Sequence, residues 1–303
     1  MVVSPSVSIL MNCFNSERYL AEAIDSIFLQ SFEDWEIIFW DNCSTDNSAA
    51  IAKSYGPRLK YFLAQKHTDL GVARNLALDK ANGKYVGFLD CDDLFLKDKL
   101  EKQVTFMEMH NYVMSYGSSI IIDSSGNEVK RRIAKNDSGL IFGKLLRHYE
   151  INMQSVLINR SILVEKDLNF DTNLKFNPDY NLFMRIAAMY SVGVLQEPLV
   201  KYRVLSNSLS SQTLSIAADE NRYTLDALSH SFDNLKVRYE ADFVKAYAKL
   251  NYYDAVAALY LKDRKQALKA LRPVIGKRVE YFILSILLIT GVPFSLILKI
   301  LGR

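Results

Sequence analysis

The feature that most constrains the fold is an alternation of short apolar runs with segments of helical periodicity. Val7-Ser-Ile-Leu-Met11, Trp35-Glu-Ile-Ile-Phe-Trp40, Lys60–Ala64 and Tyr85–Leu89 are four runs of strand length. Between the first two, residues Glu17 to Gln30 place Leu20, Ala23, Ile24, Ile27 and Phe28 on one helical face. Ser44-Thr45-Asp46 supplies a helix N-cap cluster after the second run, and a helix from Gly71 to Ala81 is stopped by Asn82-Gly83. Strands alternating with helices through short polar connections specify an α/β fold, with a mostly parallel sheet flanked by helices.

In such sheets ligands bind beyond the carboxyl ends of the strands. Asn12-Cys13-Phe14-Asn15, Asp41-Asn-Cys-Ser-Thr-Asp46 and Asp90-Cys-Asp-Asp93 each follow a strand directly, so they are expected on one rim. The last of these crowds three carboxylates into four positions. Close carboxylates repel and raise each other's pKa, so the arrangement calls for a compensating cation or ligand.

Beyond residue 97 the pattern changes. A helix to about His110, a strand from Tyr112 to Ile122 and a turn at Ser124-Ser-Gly-Asn127 are expected, then irregular chain to Arg160. A helix follows Phe176-Asn-Pro-Asp-Tyr180 and ends near Tyr190, and Val192 to Val204 reads as one or two strands. Residues from about 212 to 271 are rich in Ala and Leu and read as helical throughout. The expected organisation is an α/β domain over 1–211, a helical extension over 212–278 and an apolar segment over 279–303.

In this order the chain resembles the family 2 glycosyltransferases of GT-A (Rossmann-like) fold, of polysaccharide or O-antigen biosynthesis type. Four motifs across roughly residues 5 to 210 carry the resemblance: Val7-Ser-Ile-Leu with Asn15, Asp41-Asn-Cys-Ser-Thr-Asp46, Gly71-Val-Ala-Arg-Asn75, and Phe88-Leu-Asp-Cys-Asp-Asp93. It implies a nucleotide-sugar donor and a divalent cation, Mg or Mn. Asp90 and Asp92 match the DxD signature, which implies that Asp90 faces the ribose or a metal-bound water and Asp92 takes the metal. Asp41 and Asn42 would meet the nucleobase. Uridine is preferred, because a carboxylate accepts the uracil N3 proton; guanosine or thymidine stay open, because the usual Asp-Gly is here Asn42-Cys43. Arg74 would lie beside the nucleotide, and Arg203 and Ser208 could contact the diphosphate.

The resemblance also places a catalytic base at Asp179, although the Glu of the usual Glu-Asp pair is replaced by Pro178. Taken without the resemblance, Asp93 reads as the cap of a helix starting near Leu96, and Asp179 as the cap of the helix beginning at Tyr180. Leu205 stands where the family often has a histidine available to the metal. The expected reaction is inverting transfer to a hydroxyl of a saccharide or lipid-linked saccharide. The rival reading is a nucleotide-sugar-binding protein without turnover.

Charge bears on partners. From Lys262 onward nine Lys and Arg stand against Asp263 and Glu280, a net of +7, which leaves −4 for the first 261 residues of a chain whose total is +3. This basic run leads into Tyr281 to Leu298, eighteen positions without a charge. The pair is expected to attach the enzyme to the cytoplasmic face of a membrane, as a strained span, a re-entrant hairpin or an interfacial helix. A buried or dimerising helix is the alternative. The basic cluster lacks interleaved aromatics, which argues against nucleic acid. The three cysteines form no CxxC pair, and although a three-thiolate zinc site is conceivable, they read as small fillers near the donor. No GxSxG, GxxxxGK or GxGxxG pattern is present, and the histidines at 67, 110, 148 and 230 lack metal-binding spacing.

Overall fold

The computed structural model describes residues 4–205, 214–231 and 234–300. The chain divides into two compact units, Met1–Phe142 with Tyr149–Ser206, and Gly143–His148 with Asn207–Arg303.

The first unit is built on a nine-stranded sheet in the order β3-β2-β1-β4-β8-β6-β9-β5, with β7 paired to β6. β1 (Val7–Cys13), β2 (Trp35–Asp41), β3 (Leu59–Leu63) and β4 (Tyr85–Phe88) run parallel, as their sequence spacing predicts. Every residue of β2 and β4 is buried, because helices cover both faces of this half. Helix α1 (Glu17–Phe28) buries Leu20, Ala23, Ile24 and Ile27, the expected stripe. α2 (Ser48–Lys53), α3 (Leu70–Leu78) and α4 (Lys99–His110) complete the crossovers.

The second half departs from a mostly parallel sheet. β5 (Leu94–Phe95) pairs antiparallel with β9 (Val192–Arg203), and β8 (Leu157–Asn159) inserts antiparallel between β4 and β6 (Met114–Ile122). β9 is one strand, parallel to β6. The stretch expected to be irregular holds β7 (Glu128–Arg132), α5 (Phe142–Arg147), a 3-10 turn at Met153–Ser155 and β8. Strands this short carry no readable period. α6 (Arg160–Glu165) and α7 (Pro178–Met189) follow.

Two capping assignments are corrected. Leu94 and Phe95 join the sheet, so α4 starts at Lys99 with Asp98 at its N-cap, and Asp93 caps nothing. α7 starts at Pro178 with Asn177 at its N-cap, which puts Asp179 in its first turn.

Lys99 is wholly buried, its Nζ has no hydrogen-bond partner and it lies 4.2 Å from the centre of the Phe95 ring. Burial lowers its pKa to about 7. The unfolded chain therefore holds the extra proton between pH 7 and about 10.5, so stability rises with pH across that window. Below it both states are charged and the fold bears the full penalty. Lys99→Met is expected to stabilise the protein by about 3 kcal/mol at pH 6.5 and by much less at pH 9.5. Urea unfolding at the two pH values checks it; equal gains at both would show that the ammonium is not the cause.

The second unit is helical: α8 (Leu214–Ser231), α9 (Leu235–Arg238), α10 (Glu240–Tyr260), α11 (Arg264–Leu271), α12 (Val279–Ile289) and α13 (Phe294–Ile300). It is not helical throughout, because Asn234 and Lys262 adopt left-handed φ and separate α8 from α9 and α10 from α11. The apolar segment is broken as well: Gly291, at φ 78, and Pro293 part α12 from α13. Among the described residues no helix is long and apolar enough to cross a membrane.

Candidate active site

The carboxyl ends of β1, β2 and β4 form one rim. Asn15, at φ 49, bridges the first two: its side-chain oxygen accepts from the Thr45 amide at 2.8 Å, and its own amide donates to Ser44 Oγ at 3.1 Å. Asp46 accepts from the amides of Glu17 and Ser48, each at 3.0 Å, and so ties together the starts of α1 and α2. Cys13 and Cys91 are buried on this rim, while the Cys43 thiol donates to the Ala64 carbonyl at 3.4 Å. Cys43 adopts φ 70, a left-handed conformation that a glycine takes without strain. Among the described residues no group of three or more His, Cys, Asp or Glu is placed to hold a metal.

Asp41 and Asn42 are turned inward. Asp41 has no exposed surface; its carboxylate accepts from the Ser44 amide at 2.7 Å and the Tyr61 hydroxyl at 2.6 Å. Asn42 donates to the Thr68 carbonyl at 2.8 Å and accepts from the Thr68 amide at 3.2 Å. Both side chains shape the loop wall. Asp41 has no surface and Asn42 only 6% with which to meet a nucleobase.

Around Arg74 the candidate catalytic groups meet. Gly71 and Asn75 explain why this arginine is held where it is. A Cβ on Gly71 would lie 3.1 Å from the Asp171 carbonyl, so any larger residue would have to push that loop away from α3 by a few tenths of an ångström. Asn75 then locks on, donating to the Phe170 carbonyl at 2.8 Å and accepting from its amide at 2.9 Å. Its neighbour Arg74 lies 3.8 Å from Asp90 and 3.8 Å from Asp179, on opposite guanidinium nitrogens. Its Nη1 is buried without a hydrogen bond. A guanidinium pinned between two carboxylates, with a donor unspent, suits the arrival of a further anion.

Asp179 presents 26% of its side chain, and burial pushes its carboxyl above the usual range; Arg74 opposes the shift and Asp90 adds to it. Asp90 is 41% exposed. Asp92 is raised to about 6, chiefly by burial and then by Asp90. Asp93 is buried and raised well above the carboxylate range by burial, Asp90 and Asp92. The repulsion foreseen in the sequence is thus only partly offset by protein charge, from Arg74 beside Asp90 and from Arg203, which acts against the rise at Asp92. Asp90 and Asp92 are hard oxygen donors of the kind a divalent cation takes.

Arg203 is placed differently from the expectation. Its Nε donates to the Asp92 carbonyl at 2.9 Å, one Nη to the Asp123 carbonyl at 3.2 Å and the other to Glu22 at 2.8 Å, and its amide donates to Asp93 at 2.7 Å. With three of its five donors so engaged and its side chain 1% exposed, it fastens the Asp90–Asp93 loop to α1 and to the end of β6. Ser208 lies outside the described residues.

Two residues escaped the sequence reading. The buried Gln154 amide donates to Asp90 at 2.6 Å and to Asp93 at 2.7 Å, holding both carboxylates with one side chain. The Tyr149 hydroxyl is buried without a partner, its pKa is raised first by burial and then by the Asp179 charge, and its ring meets Tyr180 at 4.8 Å. Both come from the stretch that lacks periodicity, where no signal marked them. Gln154→Leu is expected to raise the half-saturating concentrations of cation and donor about tenfold with a smaller change in kcat, since freeing Asp90 and Asp93 loses charge-assisted hydrogen bonds worth about 1.5–3 kcal/mol. Metal titrations of turnover check it; unchanged values would make Gln154 a core residue alone.

The glycosyl transferase family 2 model matches residues 8–194, a span that holds β1 through the start of β9. The chain belongs to glycosyl transferase family 2. An uncharacterized glycosyltransferase of Rickettsia felis is 30% identical over 225 residues, 74% of this chain and 36% of that protein, so the chain spans about a third of that relative. The putative teichuronic acid biosynthesis glycosyltransferase TuaG of Bacillus subtilis is 30% identical over 68% of this chain and 82% of its own length. The UDP-Glc:alpha-D-GlcNAc-diphosphoundecaprenol beta-1,3-glucosyltransferase WfgD of Escherichia coli is 28% identical over 68% of this chain and 79% of its own. TarS of S. aureus, solved with UDP-GlcNAc, shares the fold with a TM-score of 0.61 at 18% identity, over 88% of this chain and 89% of that one. This family 2 glycosyltransferase thus has a GT-A-like fold in which Arg74 lies 3.8 Å from both Asp90 and Asp179.

Proposed function

We propose that this glycosyltransferase moves a sugar from a nucleotide-sugar donor, UDP-linked by preference, to a hydroxyl of a saccharide or lipid-linked saccharide, with inversion. The observation that carries the reading is the meeting of Asp90 and Asp179, from distant segments, at 3.8 Å from the same Arg74. Asp179 takes the proton of the acceptor hydroxyl as its oxygen bonds to the anomeric carbon. The bond from that carbon to the diphosphate oxygen breaks, and its electron pair leaves with the nucleoside diphosphate. Attack from the face opposite the leaving group inverts the centre. Arg74 stabilises the growing negative charge, while Asp90 and Asp92 would hold Mg or Mn. That cation, when bound, neutralises charge on the departing diphosphate. Support for the UDP preference comes from WfgD, named for UDP-Glc, and from TarS, solved with UDP-GlcNAc. WfgD's diphosphoundecaprenol-linked acceptor supports the lipid-linked alternative.

Pro178, in place of the family's Glu, favours the rival of donor binding without turnover. The test is a thermal-shift screen of UDP-, GDP- and dTDP-sugars with and without Mn, followed by donor hydrolysis and transfer assays. A tight ligand raises Tm by mass action. UDP-sugars are expected to give the largest metal-dependent shift and measurable release of UDP. Binding with no release across a broad acceptor panel would establish the rival.

A further inference from the structure

The helical unit leaves an apolar face open. α12 buries Tyr281, Leu284, Ser285 and Leu288 in the unit's core, with Tyr281 stacked on Tyr252 at 5.0 Å. On its other side Val279, Phe282, Ile283, Ile286 and Ile289 form a second stripe at helical spacing, each 42–71% exposed. A surface helix ordinarily presents polar residues there, yet the one charge in α12 is Glu280. The stripe is presented by a built hairpin. Arg264 closes the end of α12, donating to the Leu288 carbonyl at 2.6 Å and the Val292 carbonyl at 2.8 Å while lying 4.8 Å from the Phe294 ring.

Exposed Lys269, Arg272, Lys277 and Arg278 stand just before the stripe, in the segment that carries a net +7. We propose that this hairpin docks flat on an anionic bilayer, the stripe entering the acyl boundary and the cations meeting lipid headgroups. An apolar face bordered by Lys and Arg complements a surface that is both greasy and negative. A second copy of the chain would bring an equal positive charge against it. The broken apolar segment suits lying on the membrane rather than crossing it. The leaflet so chosen is the anionic, cytoplasm-facing one, where a lipid-linked acceptor would be reached. The inference goes beyond the transfer reaction and stands apart from it.

Co-sedimentation of the full chain with vesicles of phosphatidylcholine alone, and with about a third phosphatidylglycerol, tests it. Binding at least about tenfold tighter to the anionic vesicles is expected, weakening at high salt. Phe282→Ser with Ile289→Ser, both exposed positions, should reduce that binding about tenfold while Tm and donor binding stay unchanged. Lys277→Glu with Arg278→Glu should abolish the preference for anionic lipid. Phe282→Trp should shift its emission to the blue on vesicle addition. Equal binding of the wild type and the serine variant would overturn the proposal, as would no binding to either vesicle. So would a dimer, seen by sedimentation without lipid, that the serine variant dissociates. Turnover on a soluble acceptor is read separately, so failure of the transfer reading leaves this result interpretable.

Discussion

Asp179→Asn is expected to lower kcat about a thousandfold and to leave donor affinity within about threefold. The substitution keeps size and first-turn position and removes only proton-accepting power, which in general base catalysis is worth about 10²–10⁴. The same residue predicts the pH profile. A base works when ionised, and burial places the Asp179 carboxyl above its usual range, so activity should fall with acidification at a pH above the ordinary carboxylate value. Arg74 holds that pKa down; Arg74→Gln should move the acid limb to higher pH as well as weaken donor binding. Steady-state kinetics with calorimetric donor binding across pH 4–9 would decide. A kcat within tenfold of wild type would remove Asp179 from the role of base.

Asp92→Asn is expected to cost about a hundredfold or more in kcat/KM and to raise the metal concentration needed for half-maximal activity by a similar factor. An amide keeps one oxygen but loses the charge that a hard divalent cation seeks. In the metal-free protein the same change should stabilise. Asp92 is raised to about 6 by burial and by Asp90, so its ionisation is a burden on the fold that grows as pH rises from about 4 through 6. Asp92→Asn should therefore have a higher Tm than wild type at pH 7 without metal, and the two should converge at pH 4. Added Mn should raise the Tm of wild type more than that of the variant. Identical metal responses in the two proteins would place the cation elsewhere.

These expectations rest on features of unequal visibility. The parallel half of the sheet was readable because β1, β2 and β4 are buried on both faces and α1 repeats its apolar residues at helical spacing. The Asp90–Asp93 loop and the Gly71–Asn75 segment stood out because carboxylates, glycine and arginine each have few reasons to stand at such positions. β5 and β8, of two and three residues, were not readable, and with them went the antiparallel half and the position of Gln154. Arg203 was visible as a residue, but its target was not: the phosphate expected in front of it is replaced by Asp92, Asp123 and Glu22. The apolar segment was visible as eighteen uncharged positions, whereas its division into a core-facing and an open stripe depends on the packing of α12 on its own unit.

The amino-acid order alone determined which local elements form on the donor side, where they end and which acidic and basic groups reach the rim, because strand burial, helical period and capping act over a few residues. Only the tertiary structure decided what each of those groups faces. Arg74 sits between Asp90 and Asp179, Gln154 joins Asp90 to Asp93, and Asp41 turns to Tyr61, since each partner is brought from a distant part of the chain by how strands and helices pack.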